Sequence, residues 1–187
     1  MNVLKKTIII LVAFCAVPFL ASAQRFSIGS NAVDWLSLGT LNIEGSAAVS
    51  QHFSVHVGAE CNPWTFKAGD AEKQFEMRHA SYWAGARWWP WYTYSGWWAG
   101  ANARYSVYNI GGLFSRDTEE GFAYGGGLYG GYSIMITTWL NLDLGIGVWG
   151  GYKKYTRYSC PLCGVTTEKG EGPFVLPDAR VAIQFVF

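Results

Sequence analysis

Apolar and polar residues alternate along most of this chain, and that period of two is typical of β-strands with one apolar face. Segment 53–62 is a clear example. Its outward apolar set is Phe53, Val55, Val57, Ala59 and Cys61. Its inward set, small or polar throughout, is Ser54, His56, Gly58, Glu60 and Asn62. The pattern predicts a strand whose outer face meets an apolar environment.

Seven further segments share this period, so the sequence predicts an all-β protein with eight strands. Segments 140–149 and 180–187 alternate strictly. Alternation is weaker but present in segments 25–33, 40–49, 80–91, 97–108 and 122–136. After the N-terminal apolar stretch at 8–20, no segment has the long apolar run of a transmembrane helix.

The predicted connections alternate in length. Short turns at 50–52, 92–96 and 137–139 separate longer links at 34–39, 64–79, 109–121 and 153–178. Short turns at one end and longer loops at the other are typical of outer-membrane barrels. We therefore expect an eight-stranded antiparallel up-and-down transmembrane β-barrel. Its last strand would end in an insertion signal formed by Phe185 and Phe187.

Composition favours a membrane surface over a soluble one. Aromatic residues make up 17% of the chain and charged residues only 14%, fewer than a water-soluble surface normally carries. Many aromatics fall at predicted strand ends, as two interfacial girdles would require: Trp35, Trp64, Phe66, Trp88, Trp89, Trp91, Tyr92, Trp97, Trp98, Trp139, Tyr152 and Tyr155. A secreted β-sandwich with these aromatics in its core is the soluble alternative.

The N-terminus predicts export. Lys5 and Lys6 precede an apolar stretch at 8–20, and Ala21-Ser22-Ala23 follows as a cleavage site. We expect a cleaved signal peptide at 1–23, a barrel domain at 24–187 and a location in the bacterial outer membrane. A retained anchor helix is the alternative. The formal net charge of +1 argues against nucleic acid as a partner.

The inward positions collect three acids and three bases: Glu44, Glu60, Asp143, Arg87, Arg104 and Arg180. An eight-stranded barrel is just wide enough to be filled by its own side chains, so these charges are expected to pair and plug it. His56 lies among them as a further member of the network. A narrow proton or ion path in which His56 titrates is the alternative.

Cys160 and Cys163 form a CxxC pair in the last predicted loop. We expect a local disulfide there, with a zinc half-site or a redox dithiol as alternatives. Cys61 would stay unpaired, and Cys15 would leave with the signal peptide. The sequence predicts no metal site, no cofactor and no enzyme activity, because no catalytic motif appears and His79 with Ser81 is only a sequence neighbour pair.

Four motifs carry a family resemblance: Asn62-Pro63-Trp64, Ala86-Arg87-Trp88-Trp89, Tyr108-Asn109-Ile110-Gly111-Gly112 and Tyr158-Ser159-Cys160-Pro161-Leu162-Cys163-Gly164. Together they resemble the Bacteroides-type family of exported proteins catalogued as domain of unknown function 3575. The resemblance covers the mature chain and implies an outer-membrane β-barrel. Its members are often encoded near fimbrial components, which implies a role at surface structures.

These expectations combine into a non-enzymatic integral outer-membrane protein with a surface-structure or binding role. Its expected partners are outer-membrane lipid, the barrel insertion machinery, and fimbrial or other surface proteins. Two other functions stay open. One is a narrow solute or ion channel, and the other is a thiol enzyme at the barrel rim using Cys160 and Cys163.

Overall fold

The computed structural model describes residues 25–68, 74–112, 117–160 and 164–187. The expected signal peptide at 1–23 lies outside these ranges. Nine strands and one short helix follow in the order β1 (Phe26–Asn31), α1 (Ala32–Leu36), β2 (Leu41–Ala48), β3 (Phe53–Asn62), β4 (Thr65–Phe66), β5 (Phe75–Trp88), β6 (Gly96–Gly111), β7 (Thr118–Thr137), β8 (Leu140–Tyr158) and β9 (Thr166–Val186). The all-β prediction is confirmed. Within the described ranges no helix is long and apolar enough to cross a membrane.

The strands form one antiparallel, up-and-down sheet that closes into a ring. Each long strand pairs with its neighbour in sequence, and β9 returns to pair with β1. β3 pairs directly with β5. The two-residue β4 pairs with β5 beyond the end of β3 and adds no separate position around the ring. The up-and-down antiparallel arrangement is therefore as predicted.

Side chains divide between the two faces as the alternation in segment 53–62 predicts. Ser54 and His56 are buried inside the ring, whereas Phe53 and Val57 face outward and are exposed. Strand β8 has the same division, with Asn141 and Asp143 buried and Ile146 and Val148 exposed. The interior is therefore polar, and the outer surface of these strands is apolar.

Three predicted links are wrong in part, because strands enter them. Link 64–79 contains β4 and the first residues of β5, and strands occupy most of the other two. β8 continues to Tyr158 and β9 begins at Thr166, so most of the predicted loop 153–178 is a hairpin of paired strands. The predicted loop 109–121 is likewise shortened, since β6 reaches Gly111 and β7 begins at Thr118. Alternation fades here because both faces carry polar residues, while the backbone hydrogen bonds continue.

One row of tyrosines marks where the outer surface changes character. Tyr82, Tyr105, Tyr124 and Tyr152 lie in register on β5, β6, β7 and β8, and all four are exposed. We call this the tyrosine row. On one side of it lies the turn end of the ring, with the short turns and the C-terminus. The strands of β5–β9 beyond it on the other side form what we call the projecting sheet.

Not every predicted girdle aromatic lies on the outside. Trp89 and Trp98 are buried within the ring, Trp89 completely. Trp89 belongs to the turn that follows β5, and that turn folds back into the ring opening. Trp98 has the inward parity on β6. Sequence position at a strand end therefore misassigned both residues, because it does not distinguish the inward face from the outward one.

Candidate functional site: the ring interior and the projecting sheet

An aromatic cluster closes the turn end of the ring. Trp89, Tyr94, Trp98 and Val186 pack together, with the rings of Trp89 and Tyr94 5.8 Å apart. Polar contacts secure the turn that carries Tyr94. Its hydroxyl lies 2.9 Å from Ser46 Oγ, and its carbonyl accepts a 2.7 Å hydrogen bond from Asn141 Nδ2. The turn after β5 therefore acts as a plug at this end.

Above the plug, four of the predicted inward charges form a closed square. Arg180 binds Glu44 through two bonds of 2.9 and 3.2 Å, and its Nε donates to Asp143 at 2.7 Å. Arg87 donates to Glu44 at 2.6 Å and lies 3.6 Å from Asp143. Two carboxylates therefore alternate with two guanidinium groups. This charged square carries no net charge, as a buried ion cluster requires.

Two tryptophans support the charged square: Trp83, which the sequence analysis did not assign, and Trp98, which it placed in an outer girdle. Trp83 Nε1 donates to Glu44 at 3.0 Å, and Trp98 Nε1 donates to Asp143 at 2.7 Å. The guanidinium of Arg87 lies 4.7 Å from the centre of the Trp98 ring, a cation–π contact. Trp83 has the same parity as Arg87 on β5, so alternation alone could have placed it inside.

A second ion cluster lies nearer the projecting end and contains the other predicted pair. Arg104 forms a close hydrogen bond with Glu60 and a 3.1 Å bond with Asp178. His79 Nε2 lies 3.5 Å from Glu60. The Arg104 guanidinium also sits 4.8 Å from the Trp149 ring centre. The sequence reasoning missed Asp178 because it placed this residue at the end of a loop, although Asp178 shares the inward parity of Arg180.

A small cavity of about 60 Å³ lies between the two clusters. His56 lines it and is buried, but its Nδ1 has no hydrogen-bond partner among the described residues. The same holds for Arg87 Nη1, Asn102 Oδ1 and Arg104 Nε. A cavity of this size and polarity has room for a few water molecules, which would satisfy such atoms.

The inner face of the projecting sheet carries a third, more exposed ion cluster. Glu119 accepts hydrogen bonds from Lys153 at 2.7 Å, Arg157 at 2.9 Å and the Tyr108 hydroxyl at 2.9 Å. Burial raises the pKa of Glu119, but these three donors outweigh it and hold that pKa below its ordinary value. Burial and the bond to Glu119 raise the pKa of Tyr108. The cluster ties β7 to β8 above the tyrosine row.

The outer face of the projecting sheet forms a broad groove of about 880 Å³. Its floor includes Tyr105, Val107 and Phe122, and charged side chains of both signs surround it. Those charged residues are Arg78, Glu120, Lys154, Lys169 and Glu171. An apolar floor with a mixed polar rim is the arrangement of a protein-binding surface.

Cys61 and Cys160 belong to none of the three ion clusters, and Cys61 lines the outer groove. Cys160 is disulfide-bonded, whereas Cys61 is free and exposed on the outer face of β3. Cys163 lies outside the described residues, as do Pro161 and Leu162. In the described part of the chain, no group of three or more His, Cys, Asp or Glu side chains could hold a metal ion.

The remaining candidate residues have structural contacts. Ser81 Oγ donates to Ser106 Oγ at 2.8 Å, and His79 Nδ1 lies 3.0 Å from the Met77 carbonyl oxygen, so neither contact joins His79 to Ser81. Phe185 faces outward and stacks on Trp139 with 5.9 Å between ring centres. The backbone of Phe187 pairs with Phe26 through two 2.9 Å hydrogen bonds. These contacts close the ring at the C-terminus.

These features define a class: a closed antiparallel β-ring with a charge-paired polar interior and an apolar outer face. The chain belongs to the family described as protein of unknown function (DUF3575), whose model matches residues 8–187. The resemblance seen in the four sequence motifs is therefore confirmed at the level of the family. A comparison with curated proteins found no match.

Proposed function

We propose that this protein is an eight-stranded β-barrel of the bacterial outer membrane, exported through a cleaved signal peptide at 1–23. The observation that carries the proposal is the absence of charge from the outer face between the turn end and the tyrosine row. In the described strands every outward side chain of this band is apolar, small or an uncharged polar residue. A lipid-facing surface requires such a band, and a water-soluble ring does not.

The height of this band supports the proposal. On β8 it extends from Leu140 to Tyr152. At a rise of about 3.3 Å per residue and a tilt of about 40°, that segment spans about 30 Å, close to the thickness of a bilayer hydrocarbon core. Aromatic residues bound it at both ends, with the tyrosine row on one side and Trp88, Trp97 and Trp139 on the other.

Within this proposal the protein has a binding or surface-structure role and no enzymatic activity. The projecting sheet would stand outside the membrane, and its outer groove offers apolar and charged contacts to a protein partner. Fimbrial or other surface proteins are the candidate partners, as the family resemblance implies. Outer-membrane lipid and the barrel insertion machinery are partners of any such barrel, with Phe185 and Phe187 in the terminal insertion signal.

The experiment that tests the membrane proposal is fractionation with a gel assay. A barrel stays in the pellet after carbonate extraction of membranes, and it migrates faster on a denaturing gel before boiling than after. A mature N-terminus at Gln24 would support the cleaved signal. A protein recovered in the soluble fraction, with one gel mobility before and after heating, would contradict the proposal.

A channel is the second candidate, because an internal cavity with unpaired polar atoms lies at the centre of the ring. The charged square and the aromatic plug favour a closed lumen instead. We therefore expect no conductance in planar bilayers. Steady single-channel currents from the purified protein would favour the channel.

The thiol enzyme is the remaining alternative. Under the binding proposal, Cys160→Ser with Cys163→Ser affects only the order of the last loop. Protease resistance of the 159–165 region should fall, while surface function persists. Loss of a measurable disulfide-exchange activity in this double variant would instead support thiol chemistry.

A further inference from the structure

The wall of the ring is interrupted at one seam, between β9 and β2. β1 fills only the part near the turn end, because it ends at Asn31, opposite Ala182. Beyond Ala182, β9 continues to Thr166 with β8 on one side, and no described strand pairs with its other edge. Helix α1 follows β1 directly and lies against β9 in this gap.

The backbone of β9 that faces the seam is poorly suited to pair with a further strand. Phe187 exchanges hydrogen bonds with Phe26, so odd-numbered residues of β9 point their backbone groups toward the seam. Asn31 satisfies two of them, accepting from Val181 N–H at 2.9 Å and donating to the Ala179 carbonyl at 3.2 Å. The next odd residue is Pro177, and Pro173 has the same parity. Neither has an N–H, so this edge discourages an added strand.

An apolar groove on the outer surface meets the interior at this seam. The groove, about 670 Å³, has walls of Leu128, Ile146, Val148 and Pro177. Asp34 of α1 and Asp178 of β9 line both this groove and the interior cavity. The groove therefore leads from an apolar surface to two carboxylates.

The inner end of the groove carries an excess of acid. Arg87 and Arg180 are matched by Glu44 and Asp143 in the charged square. In the second ion cluster, Arg104 is shared by Glu60 and Asp178, and His79 Nε2 lies 3.5 Å from Glu60. Asp34 forms no ion pair with a described residue, and its nearby charges include the carboxylates of Glu60 and Asp178. A positively charged group would complement this end of the groove.

The groove lies at a depth that a lipid chain can reach. Val148 pairs with Pro177 on β9 and with Leu128 on β7. Leu128 is in turn in register, through β6, with Ala86 on β5. Ala86 lies on the same outward face of β5 as Tyr82 of the tyrosine row, about four residues nearer the turn end. That separation is about 10 Å along the barrel axis, in the leaflet nearer the projecting sheet.

We propose that this seam binds a membrane amphiphile with an ammonium head group. Its apolar chain lies along Leu128, Ile146 and Val148, and its ammonium group lies between Asp34 and Asp178. This proposal rests on the proposed membrane location, because the apolar chain enters from the bilayer. It names the class of ligand that the seam recognises.

Photolabelling in lipid nanodiscs tests the site. Three probes share a dodecyl chain with a terminal diazirine and differ only in the head group: primary amine, hydroxyl or carboxylate. We expect the amine probe to label Leu128, Ile146 and Val148 in preference to outward residues elsewhere. The double variant Asp34→Asn, Asp178→Asn should lower this labelling about tenfold, the effect of losing a charge-assisted bond. Glu168→Gln, which changes an exposed acid of the projecting sheet outside both grooves, should leave it unchanged.

Leu142, outward on β8 but away from the groove, separates the two proposals. Labelling at Leu142 with no preference for the groove contradicts the seam site and leaves the membrane location standing. No labelling at Leu142 or the groove contradicts the membrane location itself. Equal or stronger groove labelling by the hydroxyl or carboxylate probe overturns the ammonium assignment. This head-group comparison uses the unaltered protein, so it decides the matter even where the double variant fails to fold.

Discussion

At the scale of single residues, the interior depends on charge balance more than on any one bond. Glu44 is shared by Arg87 and Arg180, and both guanidinium groups are largely buried. Removing one arginine would leave an uncompensated carboxylate in a low-dielectric interior. The inward parity of these residues was readable from the sequence. The sequence did not reveal all the charges that would meet in the interior, because Asp34 and Asp178 lay in segments predicted as links.

Arg87→Met tests this balance. We expect the free energy of unfolding to fall by about 3 kcal/mol, because one buried carboxylate loses its partner. Urea titration of the protein in lipid vesicles measures it. Arg157→Met, which removes a half-exposed pair on the projecting sheet, should cost less than about 1 kcal/mol.

A second variant separates charge from packing. Adding Glu44→Gln to Arg87→Met removes the excess negative charge, so part of the lost stability should return. If Glu44→Gln lowers the stability of the Arg87→Met variant as much as it lowers that of the unaltered protein, packing and not charge balance determines the stability of the charged square.

At the scale of elements, alternation placed the strands well wherever the outer face was apolar. β3 matches its predicted bounds, because apolar residues strictly alternate there with small or polar residues. The upper parts of β8 and β9 were missed because Lys153, Lys154 and Arg157 give no contrast between faces. Backbone pairing and ion pairs between neighbouring strands hold these segments together, and both depend on residues that are far apart in the sequence.

A lysine scan on β8 tests the boundary between the two regions. Leu144→Lys places a charge near the middle of the uncharged band and should cost about 2 kcal/mol or more. Thr156 lies on the same face of the same strand, beyond the tyrosine row, so Thr156→Lys should have little effect on the free energy of unfolding. Unfolding in vesicles compares them, and equal costs at both positions would argue against a lipid-facing band.

The projecting sheet should respond to acid separately from the rest of the ring. Donors from Lys153, Arg157 and Tyr108 hold the pKa of Glu119 below its ordinary value of 4.5. A carboxylate with a lowered pKa stabilises the folded state above its unfolded pKa, and this contribution disappears as pH falls through the folded one. Amide exchange in the upper parts of β7 and β8, corrected for intrinsic rates, should therefore rise below about pH 4.5.

Glu119→Gln is the control for this effect. It removes the titrating group, so exchange in these segments should already be faster at neutral pH and should change less on acidification. An unchanged acid response in the variant would assign the effect to another carboxylate. The strands below the tyrosine row serve as an internal reference in both proteins.

At the scale of the whole molecule, one chain builds a ring with two different regions. Below the tyrosine row the outer face is uncharged and the interior is filled by paired charges and the aromatic plug. Above it the sheet carries charge on both faces. The seam beside β9 begins below the row, beyond Ala182, and continues above it. The sequence predicted the first region from its period. The seam was not predictable, because it depends on β1 ending before β9 does.

The most direct test of the membrane account is a spin-label scan along the outer face of β8, in a Cys61→Ser background. Labels at Leu142, Leu144, Ile146 and Val148 should be accessible to oxygen and protected from a water-soluble nickel reagent. Beyond Tyr152, labels at Lys154 and Thr156 should show the reverse. Accessibility to the nickel reagent along the entire strand would contradict a membrane-spanning barrel.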